Sequence, residues 1–191
     1  MGRWEPDSRG RLEEAALALY GERGFESTTV AGIAERAGLT ERTFFRHFAD
    51  KREVLFGGAG TLQELLVGGV ASAPKSAAPM DAVLAALETA GALLQERRDY
   101  AQKRQAVIAA NTELQEREVI KLASLAGALA HALRRRGVKD PAATLTAEAG
   151  IAVFKVAFAR WVEASNRRDL PRLVRESLGE LQAATAPRHP A

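Results

Sequence analysis

The sequence predicts an all-α protein, on three observations. Alanine supplies 38 of the 191 residues, and it is the strongest helix former. Proline occurs seven times, and tryptophan and tyrosine twice each, so helix breakers and strand formers are scarce. Apolar residues recur three and four apart in one segment after another, and no run alternates long enough to make a strand. Hydrophobic residues are 47% of the chain and charged residues 27%, the balance of a globular protein. By length the chain is one to two small domains, large enough to hold a core without staples. Cysteine is absent, which removes disulfides, zinc–thiolate sites and thiol catalysis and fits a reducing compartment. No apolar run is expected to reach the length of a membrane span, and the opening Met-Gly-Arg-Trp-Glu-Pro-Asp has no apolar stretch of a secretory signal. The expected location is therefore the cytoplasm, with no membrane partner.

Each helix has its own pattern. Residues 8–24 form the first, with Ser8 as cap, Leu12, Ala15, Ala16 and Leu19 on one face, and Gly24 as its stop. Thr28 or Thr29 caps the second, whose inner face is Val30, Ile33, Ala34 and Ala37 and whose left-handed stop is Gly38. Thr40 caps the third, with Phe44 and Phe48 four apart. Asp50 and Glu53 have the spacing of a reciprocal cap opening a fourth helix, but Gly57, Gly58, Gly60, Gly68 and Gly69 weaken it as far as Val70. Residues 71–79 read as a loop. A helix then starts near Met80, and another covers 97–110. A third runs from Thr112 to Arg136 with a seam of Leu122, Leu125, Leu129 and Leu133. Arg134–Arg136 before Gly137 suit a helix C-terminus. Asp140 and Pro141 open the next helix, to about Ala164, and Asp169 and Pro171 open the last. The tail from Ala186 is expected to fray.

Net charge does not single out a nucleic-acid-binding part, because residues 1–56 carry −1 and residues 57–191 carry +4. A narrower window does. Between Leu39 and Arg52 lie Arg42, Arg46, Lys51 and Arg52 against Glu41 and Asp50, with His47 among them. Such a stripe suits phosphate contact, or it is an ordinary solvated face. Residues 29–48 form a helix, a glycine turn and a second helix, with small Ala34 where the two cross. Phe44 and Phe48 would be buried, leaving Glu41, Arg42, Thr43 and Arg46 free for a major groove.

The run from Thr28 to Leu55 (Thr-Thr-Val-Ala-Gly-Ile-Ala-Glu-Arg-Ala-Gly-Leu-Thr-Glu-Arg-Thr-Phe-Phe-Arg-His-Phe-Ala-Asp-Lys-Arg-Glu-Val-Leu) resembles the DNA-binding half of TetR-family transcriptional regulators. So does the preceding Ala-Leu-Tyr-Gly-Glu-Arg-Gly-Phe. The resemblance is close over residues 8–56. It implies a three-helix helix-turn-helix DNA-binding domain there, followed over 57–186 by a helical ligand-binding and dimerisation domain. It further implies that Thr28 or Thr29 meets a phosphate and that Thr40, Glu41, Arg42 and Thr43 begin the base-reading helix. Arg42 is the leading candidate for a guanine, whose O6 and N7 a guanidinium binds together. Arg46 reads a base or holds a phosphate, and His47 and Lys51 take phosphates. Glu41 either accepts from cytosine or repels phosphate. Phe45 stands where the family commonly has tyrosine, so it keeps packing and loses a hydrogen bond.

The helix from Pro141 to Ala164 is apolar on two sides. Ala149, Ala152, Val156 and Ala159 make a small-residue face, and Ile151, Phe154, Phe158, Trp161 and Val162 a bulky one. One face suits the chain's own core and the other a partner, unless the whole helix is internal. The resemblance implies a homodimer through the last two helices, a near-palindromic operator, and a small, mostly apolar effector. Tyr100, Arg104, Phe154 and Phe158 are candidate effector-lining residues, though core packing explains each as well. No cofactor or metal is expected. A small helical enzyme finds no support: there is no phosphate-binding glycine loop, no His-Glu-x-x-His and no nucleophile elbow, and His47, His131 and His189 are scattered. A protein-binding adaptor is disfavoured by the basic, apolar-poor outer face of 40–47.

Overall fold

The structure, a computed structural model of the chain, describes residues 7–186, so the expectations for residues 1–6 and for the tail beyond Ala186 lie outside the described residues. Within them the chain is helical throughout: α1 (Ser8–Arg23), α2 (Val30–Arg36), α3 (Glu41–His47), a 3-10 turn (Glu53–Phe56), α4 (Ala59–Ser72), α5 (Pro79–Gln95), α6 (Arg98–Ala109), α7 (Thr112–Arg135), α8 (Ala142–Val162) and α9 (Leu170–Thr185). Two compact units result. Among the described residues the first is 7–59 with Tyr100–Glu118, and the second is Gly60–Asp99 with 119–186.

In the first unit α1 lays Leu12, Ala16, Leu19 and Tyr20 against Ile33 of α2 and Phe44 of α3. Val107, Ile108 and Leu114 of α6 and α7 are built into the same core. Asp7, not Ser8, caps α1: its carboxylate accepts from the Gly10 N–H at 2.9 Å. Ser8 is the first helical residue, and its hydroxyl bonds elsewhere. Gly38 is left-handed, with φ of 65°, and the Leu39 N–H reaches back to the Ala34 carbonyl at 2.8 Å. This closes α2 and swings the chain into α3.

After α3, Asp50 does cap the chain, accepting from the Arg52 and Glu53 N–H groups at 2.8 and 3.1 Å. The capped segment is only a 3-10 turn, and the Glu53 carboxylate pairs with Arg117 of α7 instead of reaching back. The glycines do not prevent α4. A Cβ on Gly69 would sit 2.7 Å from the Ala86 Cβ, so this glycine is required by the close approach of α4 to α5.

In the second unit α5, α8 and α9 pack together, and α7 contributes buried Leu125, Leu129 and Leu133. The Asp169 carboxylate caps α9 through the Arg172 N–H at 2.7 Å. Asp140 accepts from Arg134 and from the Thr144 hydroxyl, while Pro141 occupies the cap position of α8. Contrary to the expectation from apolar runs, two stretches, 53–72 and 142–162, are long and apolar enough by length and composition to cross a membrane. The first is broken at Gly57-Gly58 into the 3-10 turn and α4. In the second, the apolar weight is in Ile151, Phe154 and Trp161, which are buried within the second unit.

Candidate nucleic-acid interface

The third helix is sorted into two faces. Phe44 is fully buried and Phe48 nearly so, each burial contributing about 2–3 kcal/mol. Their rings lie 5.5 Å apart and tie α3 to the core. On the other face Glu41, Arg42, Phe45 and Arg46 are exposed, with Phe45 at 55%. Among the described residues no side chain bonds Arg42, so its guanidinium is available to a partner. Thr40 is the cap: its Oγ1 accepts from the Thr43 N–H at 3.2 Å and lies 3.1 Å from the Thr43 hydroxyl. Glu41 sits in the first turn of α3, where a carboxylate suits the helix dipole. An intrahelical reason for this acid is thus on hand beside any contact with a base.

The two threonines before α2 are separated by their surroundings. Thr29 is exposed and caps α2 through the Gly32 N–H at 3.1 Å. Thr28 is 3% exposed, and its hydroxyl donates to the Gly24 carbonyl at 2.8 Å. Thr28 is therefore corrected to a structural residue. Lys51 departs from its expected role for a similar reason. Its ammonium donates to the carbonyls of Phe25, Glu26 and Thr28 at 2.9, 3.2 and 3.1 Å and lies 4.4 Å from the Phe25 ring centre. An ammonium has three donor hydrogens, and all three are committed to the loop before α2.

His47 closes α3. Its Nε2 lies 2.8 Å from the Ser8 hydroxyl and 3.4 Å from an Arg46 Nη2. Burial, then the guanidiniums of Arg46 and Arg9, hold the ring below the ordinary histidine value. The guanidiniums of Arg42 and Arg46 along one short helix can hydrogen-bond base edges and neutralise phosphate, His47 can hydrogen-bond a phosphate oxygen, and the exposed Phe45 ring offers apolar contact. Among the described residues no three His, Cys, Asp or Glu side chains gather to hold a metal ion.

An ion-pair network that the sequence did not disclose braces the end of this unit. Arg52 bonds Asp50 at 2.7 Å and Glu113 of α7. Arg117 bonds Glu53 at 2.7 Å. Arg104 donates to the Leu55 carbonyl at 2.6 Å and to Glu118 at 3.0 Å, with its guanidinium 5.0 Å from the Phe56 ring centre. The Arg104–Glu118 and Arg117–Glu53 partners are 14 and 64 positions apart, beyond the reach of local spacing.

The candidate effector-lining residues are divided between the two units. Arg104 is committed to Leu55 and Glu118, and Tyr100 packs on the core of the first unit. Phe154 and Phe158 belong to the second unit, with rings 5.7 Å apart and the Phe158 ring tilted against Trp161 at 5.4 Å. Trp161 is fully buried and donates to Gln95 at 2.9 Å. A separate open groove of about 380 Å³ runs along α4, lined by Thr61, Glu64, Leu65, Gly68, Gly69, Ser72 and Thr89. On α8 Ile151, Phe154 and Trp161 of the bulky face are buried, while Phe158 and Val162 are half-buried. Leu145, Ala152, Val156 and Ala159 are exposed, Leu145 at 64% and Val156 at 49%.

Comparison with known proteins adds two matches to family models. The model described as "Bacterial regulatory proteins, tetR family" matches residues 12–56, and that described as "MftR C-terminal domain" matches residues 77–186. The chain is similar to the HTH-type transcriptional regulator TcmR of Streptomyces glaucescens, 37% identical over 76 residues that make up 40% of this chain and 34% of TcmR. It thus matches about a third of that relative's length. It is 27% identical to MftR of Mycobacterium tuberculosis over 136 residues, 71% of this chain and 69% of MftR. Among solved structures it is similar to FadR of Thermus thermophilus, a TetR-family transcriptional repressor in complex with lauroyl-CoA. The TM-score is 0.58 at 21% identity, over 95% of this chain and 97% of that one, which is a likeness of fold.

Proposed function

Since the chain belongs to the tetR family of bacterial regulatory proteins, we propose that it is a cytoplasmic, homodimeric transcriptional repressor and not an enzyme. It binds a near-palindromic operator and is released by a small, mostly apolar effector. The observation that carries this reading is the two-faced α3: Phe44 and Phe48 are held in the core while Arg42, Phe45 and Arg46 face outward. Residues 8–56 do the DNA binding. Thr40, Glu41, Arg42 and Thr43 begin the base-reading helix, with Arg42 on a base; Arg46 reads a base or holds a phosphate, Thr29 and His47 meet phosphates, and Phe45 makes apolar contact. The exposed small-residue stripe of α8 joins α9 in the dimer, which places two copies of α3 on successive turns of the duplex. The effector binds in the segment 57–186, with Phe154 and Phe158 as its aromatic wall. A coupling of about 1–3 kcal/mol between the two sites suffices for release.

Selection of bound sequences from random duplex DNA tests this reading. The expected outcome is enrichment of one inverted repeat. Recovery of unenriched sequence at low salt would remove the specific-regulator reading.

A further inference from the structure

We propose that Ser8 and His47 form a proton-linked phosphate contact: an arriving DNA phosphate brings one proton onto the His47 ring, and the protonated ring turns the Ser8 hydroxyl hydrogen toward that phosphate. The proposal rests on the DNA-binding function proposed for this chain. The Ser8 Oγ and the His47 Nε2 lie 2.8 Å apart across 39 positions of sequence. They join the first residue of α1 to the last residue of α3. The charged groups around the ring come from both helices. Arg46 of α3 touches Nε2 at 3.4 Å. Arg9 of α1 bonds Glu13 at 3.2 Å and the Gly57 carbonyl, and lies over the Phe48 ring at 5.4 Å. Asp7 is occupied in capping Gly10. Arg46 and then Arg9 are the cations whose charges stand against an imidazolium, and a phosphate beside them would offset that repulsion.

The proton and hydrogen balance is simple. In the neutral ring one nitrogen carries hydrogen, and the bond to Ser8 holds with either donor. After a proton is taken from the buffer, both nitrogens donate. Nε2–H then donates to the Ser8 Oγ, and the hydroxyl hydrogen of Ser8 must find another acceptor. An Nε2 that carries hydrogen cannot accept from Arg46, so that guanidinium is open to phosphate as well. Phosphate oxygens are acceptors for both. No other bond forms or breaks. The role is sequence-independent, because phosphates position a protein without carrying base identity.

The test is calorimetric titration of the full chain with a short mixed-sequence duplex at low salt. It is repeated in buffers of different ionisation enthalpy, from about one unit below to one unit above the ordinary histidine value. Proton uptake is expected to peak, at up to about one per protomer, between the ring's value in the free chain and its raised value in the complex, and to fade on either side. Affinity is expected to fall by up to about tenfold per pH unit between. His47→Gln should bind without uptake. Ser8→Ala should lose affinity and much of the uptake, and Ser8→Thr should restore both. His131→Gln, at an exposed position of α7, should keep the uptake of the parent. Unchanged uptake in His47→Gln, or full uptake in Ser8→Ala, would overturn the proposal. Binding without any uptake would overturn it too and leave the DNA reading standing. No binding at any pH would remove the DNA reading and the proposal together.

Discussion

The Lys51 ammonium donates to the Thr28 carbonyl at 3.1 Å, one residue ahead of the threonine that caps α2. Its other two bonds go to Phe25 and Glu26, so a single cation gathers the loop between α1 and α2. Lys51→Ala takes this donor from all three carbonyls, of which Phe25 keeps the Thr28 N–H at 3.3 Å. The expected loss is about 1–3 kcal/mol of unfolding free energy in urea titration. DNA binding should weaken alike on all sequences, with the salt dependence unchanged. A flatter salt slope would return Lys51 to the phosphate contacts.

Arg42 is the outward guanidinium that nothing in the described residues restrains. Arg42→Ala is expected to cost about 1–3 kcal/mol of binding to the selected operator and to relax the choice at one base position per half-site. Competition between operator and mixed-sequence duplex reads this directly. Equal losses on both would make Arg42 a backbone contact.

Such local features are legible in the sequence because each is written within a few residues. Thr29, Thr40 and Asp169 are caps three positions before the N–H they accept from. Phe44 and Phe48 recur at the helical period and face inward. Where two adjacent polar residues compete, as Asp7 and Ser8 do for the start of α1, spacing cannot choose between them. Contacts across the chain are not legible either. Lys51 and Arg104 look like free surface cations until the carbonyls they hold come near. Nor does spacing separate the wall of an effector cavity from the wall of a core, because the same apolar side chains make both.

Gly69 and Gly68 are neighbours in α4 with opposite surroundings. A Cβ at Gly69 would meet the Ala86 Cβ at 2.7 Å and its Cα at 3.0 Å, atoms that move only with the helix backbone. Gly69→Ala should therefore destabilise the second unit by about 1–3 kcal/mol. At Gly68 nothing lies within 4 Å of the added carbon. Gly68→Ala should raise stability by about 0.5–1 kcal/mol, since alanine loses less backbone freedom in a helix. Thermal melts of the pair check both signs. A neutral Gly69→Ala would show that α4 and α5 can part at little cost.

Asp50 ties acid stability to the turn after α3. Burial pushes its carboxyl up. Hydrogen bonds from the Arg52 side chain and from the Glu53 and Arg52 N–H groups outweigh this and hold it below the ordinary 3.8. Between the folded value and 3.8 the unfolded chain binds more protons. The contribution of Asp50 is therefore complete above 3.8 and is lost as pH falls through the lower folded value. Asp50→Asn should lower stability at neutral pH and flatten the fall below 3.8 in chemical denaturation. An acid limb as steep as that of the parent would place the linkage on other carboxylates.

The stripe of α8 is the remaining surface with a specific demand. Leu145, Ala152, Val156 and Ala159 are exposed on one side of that helix, while Ile151, Phe154 and Trp161 fill its own core on the other. Under the proposed two-fold arrangement, residues near the axis meet their own copies. Val156→Glu would carry a carboxylate from each copy into an apolar contact near the axis. Their loss of water and mutual repulsion should weaken association by about 2–3 kcal/mol, or roughly a hundredfold in the dimer dissociation constant. Light scattering over a dilution series reads that shift. Operator affinity should fall with it, because each half-site must then be bound independently. A parent chain that is monomeric at micromolar concentration, or a variant that dimerises undiminished, would move the interface off α8.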